Sequence, residues 1–228
     1  MTNGIFITGT DTGVGKSLVA CALIHALKAR GLKVAGMKPV ASGSEQTADG
    51  LRNEDALALQ AAANVHASYQ IINPYCFIPP IAPHLAAREA GITVEMAHLQ
   101  RCYAQLAQQA DMVVVEGAGG WRVPLESGYL SDLPETLRLD VILVVGLRLG
   151  CLNHAILTAE AIESSGHCRL AGWVANTIDP GFAPLEANLH TLQQRLHARF
   201  LGKIAHLQRP DAQLIADVLD ISTLNPRQ

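Results

Sequence analysis

The stretch IFITGTDTGVGKS, residues 5–17, decides how the rest of the chain is read. Ile5, Phe6 and Ile7 are apolar and largely β-favouring, and read as a buried strand. Gly9 opens a turn-rich loop that Gly13 and Gly15 allow to bend tightly. Lys16 and Ser17 then lead an apolar-periodic run, LVACALIHALKA, with the pattern of a helix. Strand, glycine loop, Gly-Lys-Ser and helix together make the setting of a phosphate-binding loop. The open N–H groups and dipole of a helix N-terminus favour an anion. Lys16 adds a full positive charge, and the Ser17 hydroxyl can ligate the magnesium that travels with a nucleotide triphosphate. The usual spacing, G-x-x-x-x-G-K-[ST], needs glycine at position 10. Here that residue is Thr10 and the upstream glycine is Gly9, so the loop is one residue longer.

The elements around this stretch repeat a pattern. KVAGM (33–37), MVVVEGAGG (112–120), VILVVG (141–146), LAGWVANT (170–177) and FLGKIAHL (200–207) read as further strands. Several are continuous apolar runs, which fits burial on both faces. Helical patterns lie between them, at 54–63, 84–90, 94–109, 151–165, 183–198 and 211–219. The fold class is therefore α/β, a parallel β-sheet covered by helices on both faces, in one domain spanning residues 1–228. Polar residues 43–53 read as loop, and the four prolines within 73–84 argue against a regular element there.

Composition narrows the function classes. The 228 residues are 49% hydrophobic and 16% charged, with a formal net charge of −3. Without a basic excess, neither nucleic acid nor an anionic membrane is an expected partner. Five cysteines without a C-x-x-C pair fit a reducing compartment. The first strand begins almost at once, and no apolar run reaches the length of a membrane span, so a soluble cytoplasmic protein is expected.

Ligands on such sheets sit at the carboxyl ends of strands, and the chain's distinctive polar groups gather there. Glu116 follows four buried apolar residues, where a carboxylate is costly without a cation. Lys38 ends the second strand, beside the phosphate loop. Asp55 lies in the first turn of a helix, where a carboxylate also serves the dipole. Asn176 ends a later strand. No G-x-S-x-G, H-E-x-x-H or helical H-x-x-x-H occurs.

Six blocks carry a family resemblance: TGTDTGVGKS (8–17), KPVASGSE (38–45), LRNEDAL (51–57), VEGAGGW (115–121), VVGLRLGCLNHAILT (144–158) and AGWVAN (171–176). In this order they resemble the dethiobiotin synthetases of the biotin pathway, in which the longer phosphate loop is itself usual. The resemblance implies a magnesium-dependent ligase that uses ATP and carbon dioxide to close a cyclic urea on 7,8-diaminononanoate. It implies that Gly13, Val14, Gly15, Lys16, Ser17 and Leu18 hold the phosphates. Gly117, Ala118 and Gly119 would approach the ligand, and Asn176, Thr177, Ala205, His206 and Leu207 would frame the adenine. Ser17, Asp55 and Glu116 would bind magnesium. Thr12, Lys16, Lys38 and Ser42 would be catalytic, surrounding the carbamate and the phosphoryl group. The family is a homodimer, and Cys151, Leu152 and Asn153, at a helix start, would hold the substrate carboxylate across the subunit boundary with Gly119 nearby. Asn188 stands where relatives place a tyrosine from the partner subunit, and Ala205 where a proline is frequent. Two other classes share parts of the pattern. Partitioning-type ATPases carry a signature lysine early in the loop, where this chain has Asp11. A paralogous ligase acting on another diamine would share every block.

Overall fold

The computed structural model describes residues 4–224. Strand β1 (Gly4–Gly9) runs into the glycine loop, and α1 (Lys16–Ala29) leaves it. Next come β2 (Val34–Met37), β3 (Val40–Ser42), β4 (Glu45–Thr47), β5 (Gly50–Arg52) and α2 (Glu54–Ala62). Helix α3 (Tyr69–Ile72), strand β6 (Tyr75–Phe77) and helices α4 (Pro83–Glu89) and α5 (Met96–Ala107) lead to β7 (Met112–Glu116). The remainder alternates: α6 (Asp132–Leu137), β8 (Asp140–Gly146), α7 (Cys151–Ser164), β9 (Arg169–Asn176), α8 (Leu185–Arg195), β10 (Arg199–Ile204) and α9 (Ala212–Ala216).

Six strands form one sheet in the order β10-β9-β8-β1-β7-β2, and every neighbouring pair is parallel. The burial pattern explains why. Val113 and Val115 of β7 join the core on one face with Phe6, while Val114 joins the other with Ile5 and Ile7. In β8, Val141, Leu143 and Val145 point to the first face, and Ile142 and Val144 to the second. Both faces of each central strand are thus apolar and helix-covered, the arrangement that continuous runs of valine and isoleucine favour. Each such side chain contributes about 1.5–3 kcal/mol on burial. The chain passes from β1 out to β2, returns to β7, and continues on the far side at β8. The carboxyl end of β1 is therefore a switch point with a crevice beside it.

Local differences from the sequence reading have physical causes. The 43–53 segment is not all loop: β4 and β5 pair as a small antiparallel hairpin. Its turn is fixed by Gly50 at φ 98° and by the Thr47 hydroxyl donating to the Gly50 carbonyl. Its strand residues are exposed or half-buried, so they leave no apolar period to read. Within 73–84, prolines flank β6 and do not interrupt it, and β6 pairs with β3 in register from Val40–Tyr75 to Ser42–Phe77. The short α3 has no counterpart in the expected elements. Strand β10 stops at Ile204, where its pairing with β9 ends at Asn176. The last helix covers only Ala212–Ala216. Among the described residues, no helix is long and apolar enough to cross a membrane.

Candidate active site

The glycine loop is held from several sides. Thr10 N–H donates to the Val144 carbonyl at 3.0 Å, tying the loop to β8. The Asp11 carboxylate pairs with Arg148 and accepts from the Thr12 N–H. Gly13 and Gly15 take φ 74° and 92°, a region open to glycine at little cost. Gly15 also faces the Asn176 amide so closely that a Cβ there would collide with it. That amide donates to the Val14 carbonyl at 2.9 Å, bracing the loop from the end of β9. Helix α1 starts on Gly15 with no side-chain cap and no acidic residue in its first turn. Its N-terminal N–H groups thus stay available to an anion. Lys16 is buried and folds back to donate to the Asp11 carbonyl at 2.9 Å. Burial first, then the nearby Lys38 charge, lowers its pKa to about 8, against the pull of Glu116, Asp55 and Asp11.

A second cluster sits beside the loop. Strand β2 ends at Met37, and Lys38 follows, fixed by its N–H donating to the Ile72 carbonyl and its carbonyl accepting from Asn73. Its ammonium lies 2.6 Å from Glu116 Oε1, 2.9 Å from Asp55 Oδ2 and 3.2 Å from the Gly117 carbonyl. Burial opposes its charge, but Glu116 and Asp55 outweigh burial and hold the pKa above the usual lysine value. Asp55 is placed by Asn53, which caps α2 through the Ala56 N–H. Burial works against the Asp55 charge too, and Lys38, with Ser17 and Lys16, overrides it to lower the pKa. Burial pushes the Glu116 carboxyl up, opposed mainly by Lys38. The Ser17 hydroxyl bridges the two acids, 2.7 Å from Asp55 Oδ1 and 2.8 Å from Glu116 Oε1.

This donor set fits a hard divalent cation. Two carboxylates and a hydroxyl converge, and Glu116 Oε2 is buried with no hydrogen-bond partner among the described residues. The residues that could hold such an ion are Ser17, Asp55 and Glu116.

Thr12, Lys16, Ser17, Lys38, Ser42 and Asp55 line one cleft of about 720 Å³, with Gly13, Gly15, Glu116, Ala118 and Gly119 on its floor and sides. The Ser42 hydroxyl is buried and has no hydrogen-bond partner among the described residues. Other expected residues lie elsewhere. Val14 is buried beneath the loop, Leu18 is half-buried on α1, and Gly117 packs against Phe6. Asn176 and Thr177 end β9. The Thr177 N–H donates to the Ile204 carbonyl, which sets the exposed residues Ala205, His206 and Leu207 beside them. Cys151, Leu152 and Asn153 form the first turn of α7 and do not line this cleft. The cleft's remaining wall was not expected from the sequence. It comprises Pro80, Ile81, Ala82 and Pro83 on one side, and Arg122, Val123 and Pro124 on the other. For Arg122, its place directly after VEGAGGW was the available signal.

A lysine-bearing glycine loop at the central strand of a parallel sheet, with acids at neighbouring strand and helix ends, defines a P-loop nucleotide-binding protein. A family model described as an AAA domain matches residues 3–213. Two MinD cell-division proteins have the same fold. That of Aquifex aeolicus has TM-score 0.55 and 13% identity, over 90% of this chain and 83% of its own. The septum site-determining protein of Pyrococcus horikoshii, solved with Mg-ADP, has TM-score 0.56 and 16% identity over 100% and 90%. Sequence relatives are far nearer. The ATP-dependent dethiobiotin synthetase BioD of Pseudomonas aeruginosa is 52% identical over 96% of both chains. That of Xanthomonas oryzae is 50% identical over 92% of this chain and 93% of its own. The chain belongs to the dethiobiotin synthetase family.

Proposed function

We propose that this protein closes the cyclic urea of dethiobiotin from 7,8-diaminononanoate, carbon dioxide and ATP, releasing ADP and phosphate. The observation that carries this reading is the single cleft in which Lys16, Lys38, Ser17, Asp55 and Glu116 converge beside the buried Ser42 hydroxyl. The reaction suits such a site because the substrate supplies its own nucleophiles. One amine adds to carbon dioxide and loses a proton, giving a carbamate. A carbamate oxygen attacks the γ-phosphorus, the bond to the β–γ bridging oxygen breaks, and ADP leaves with that electron pair. The second amine attacks the carbonyl of the mixed anhydride, loses a proton and expels phosphate. The protein's task is positioning and charge stabilisation.

In this reading Lys16 pairs with the β- and γ-phosphates, and the α1 N–H groups with Gly13 and Gly15 cradle them. Lys38 faces the carbamate and the phosphoryl group in flight, and Thr12 and Ser42 hydrogen-bond the carbamate. Ser17, Asp55 and Glu116 would hold magnesium, which when bound neutralises phosphate charge. Asn176 and Thr177, with residues 205–207, receive the adenine. A homodimer places residues 151–153 of one protomer at the cleft of the other. Residues 1–228 act as one unit in the cytoplasm, with small molecules rather than nucleic acid or membrane as partners. A partitioning-type switch ATPase shares the fold but is disfavoured by Asp11 in the loop. The test is product identification by mass spectrometry after supplying diamine, labelled bicarbonate and Mg-ATP. Dethiobiotin carrying the label is expected; ATP hydrolysis without a labelled product would reject the reading.

A further inference from the structure

We propose that Tyr69 is a positioning residue for the proposed reaction: its hydroxyl joins two buried asparagines into a relay that sets Lys38 and Asp55 against one another. The proposal rests on the part Lys38 plays in that reaction. Tyr69 itself does not line the cleft, so it acts through its neighbours.

The contacts close into a ring. Asn53 N–H donates to the Tyr69 hydroxyl at 2.7 Å, and that hydroxyl donates to Asn73 Oδ1 at 3.1 Å. Asn73 Nδ2 donates to the Lys38 carbonyl at 2.7 Å and to the Tyr75 carbonyl at 3.1 Å. The Lys38 ammonium meets Asp55 Oδ2 at 2.9 Å, and Asp55 stands in the first turn of α2, the helix that Asn53 caps. Asn53, Tyr69 and Asn73 are all buried, so water has little access to replace a lost bond. The Tyr69 ring is held by Arg52, whose Cζ lies 4.2 Å from its centroid. Burial above all raises the phenol pKa to about 12, so the hydroxyl keeps the proton it donates.

Lys38 needs such a fixture. Its ammonium is shared among Glu116, Asp55 and the Gly117 carbonyl. In the proposed reaction it turns from these oxygens toward the carbamate and the phosphoryl group. Its main chain is held instead by groups outside the cleft, the Ile72 carbonyl and the Asn73 amide. Tyr69 ties that segment to the cap of the helix bearing Asp55. One hydroxyl thereby fixes both partners, and a misplacement of about 1 Å in such a site can cost about a hundredfold in rate.

Y69F removes one oxygen and keeps the ring beneath Arg52, leaving Asn53 N–H and Asn73 Oδ1 without their shared partner. The kcat on 7,8-diaminononanoate should fall about tenfold or more, while KM for ATP stays within about twofold, because the phosphate loop is untouched. A double-mutant cycle with K38Q separates positioning from general weakening. It is read as single-turnover formation of labelled dethiobiotin from labelled bicarbonate, which registers slow variants. Y69F should slow the parent about tenfold but K38Q by no more than about twofold, since the relay then has no lysine to place. Equal slowing in both backgrounds overturns the proposal, as does a folded Y69F with the parental kcat. If thermal melting finds Y69F unfolded, N73A, which cuts the Lys38 branch, takes its place in the cycle. The relay is also read without turnover. In protein labelled with nitrogen-15 at the lysine side chains, the Lys38 ammonium resonance, assigned by its loss in K38Q, should move in Y69F; an unmoved resonance overturns the proposal. A parent enzyme that makes no dethiobiotin would reject the proposed reaction, and this resonance would still decide whether the relay sets Lys38.

Discussion

At the scale of single residues, the site depends on a few buried charges and the groups they touch. Lys16 is buried, and that burial, followed by the nearby Lys38 charge, brings its pKa down to about 8. Lys16→Ala should fold normally and lose roughly 3–4 kcal/mol of transition-state stabilisation, as for a lost oxyanion donor. Turnover within tenfold of the parent would reject its phosphate role. Glu116 and Asp55 both touch Lys38 and Ser17, yet their environments differ: the Glu116 side chain is 1% exposed and that of Asp55 40%. Glu116→Gln should therefore cost about 3 kcal/mol of stability, because it leaves a buried lysine with one acid instead of two. Asp55→Asn should cost under about 1 kcal/mol, since its pair is open to solvent. Both should shift the magnesium concentration needed for half-maximal rate upward, because each loses a hard anionic donor. Thermal melts and a magnesium titration separate the two effects. Unshifted midpoints in both variants would leave the acids as structural partners of Lys38 alone.

At the scale of elements, the site is a joint between strand ends. Asn176, at the end of β9, donates to the Val14 carbonyl and so fixes the loop that follows β1. Asn176→Ala leaves that carbonyl without its partner in a buried setting, at a cost of about 1–3 kcal/mol. A lower melting temperature and weaker ATP binding by calorimetry should appear together; if neither moves, the brace does not matter. The strands themselves were legible because burial on both faces forces continuous apolar runs, as in MVVV and VILVV. The loop was legible because its backbone requires glycine at positions 13 and 15. Lys38, Asp55 and Glu116 could be placed at element ends, but not seen to meet, since nothing local encodes a contact spanning 17 or 78 residues. The β4–β5 hairpin escaped notice because its side chains are largely in solvent, and β6 because its framing prolines resemble loop. Arg122 went unseen for a related reason. Its surroundings, Tyr129 and Ser131 in the irregular segment before α6 and Glu135 within α6, come together only in the fold.

At the scale of the whole molecule, strand order determines which groups one chain can bring to its cleft. Strand β8 lies beside β1, so the start of α7 emerges on the same edge of the sheet as the phosphate loop. Gly150, at φ 93°, begins that helix without a side-chain cap or a first-turn acid, as Gly15 does for α1. Yet residues 151–153 do not line the cleft, and Leu149 and Leu157 beside them are 90% and 56% exposed. An uncapped helix start flanked by exposed leucines suits the proposed homodimer, in which each protomer's α7 would serve the other's cleft. The consequence is testable by mixing defects. An Asn153→Ala chain retains its own Lys16, and a Lys16→Ala chain retains its own Asn153. In a mixed dimer with shared sites, one cleft receives both intact groups and the other neither. Equal mixing makes half the dimers mixed, so activity at limiting diamine should recover to about a quarter of the parental value. Native mass spectrometry establishes that subunits have exchanged before the rate is read. Exchange with no recovery would mean that Asn153 and Lys16 do not serve one site across the boundary.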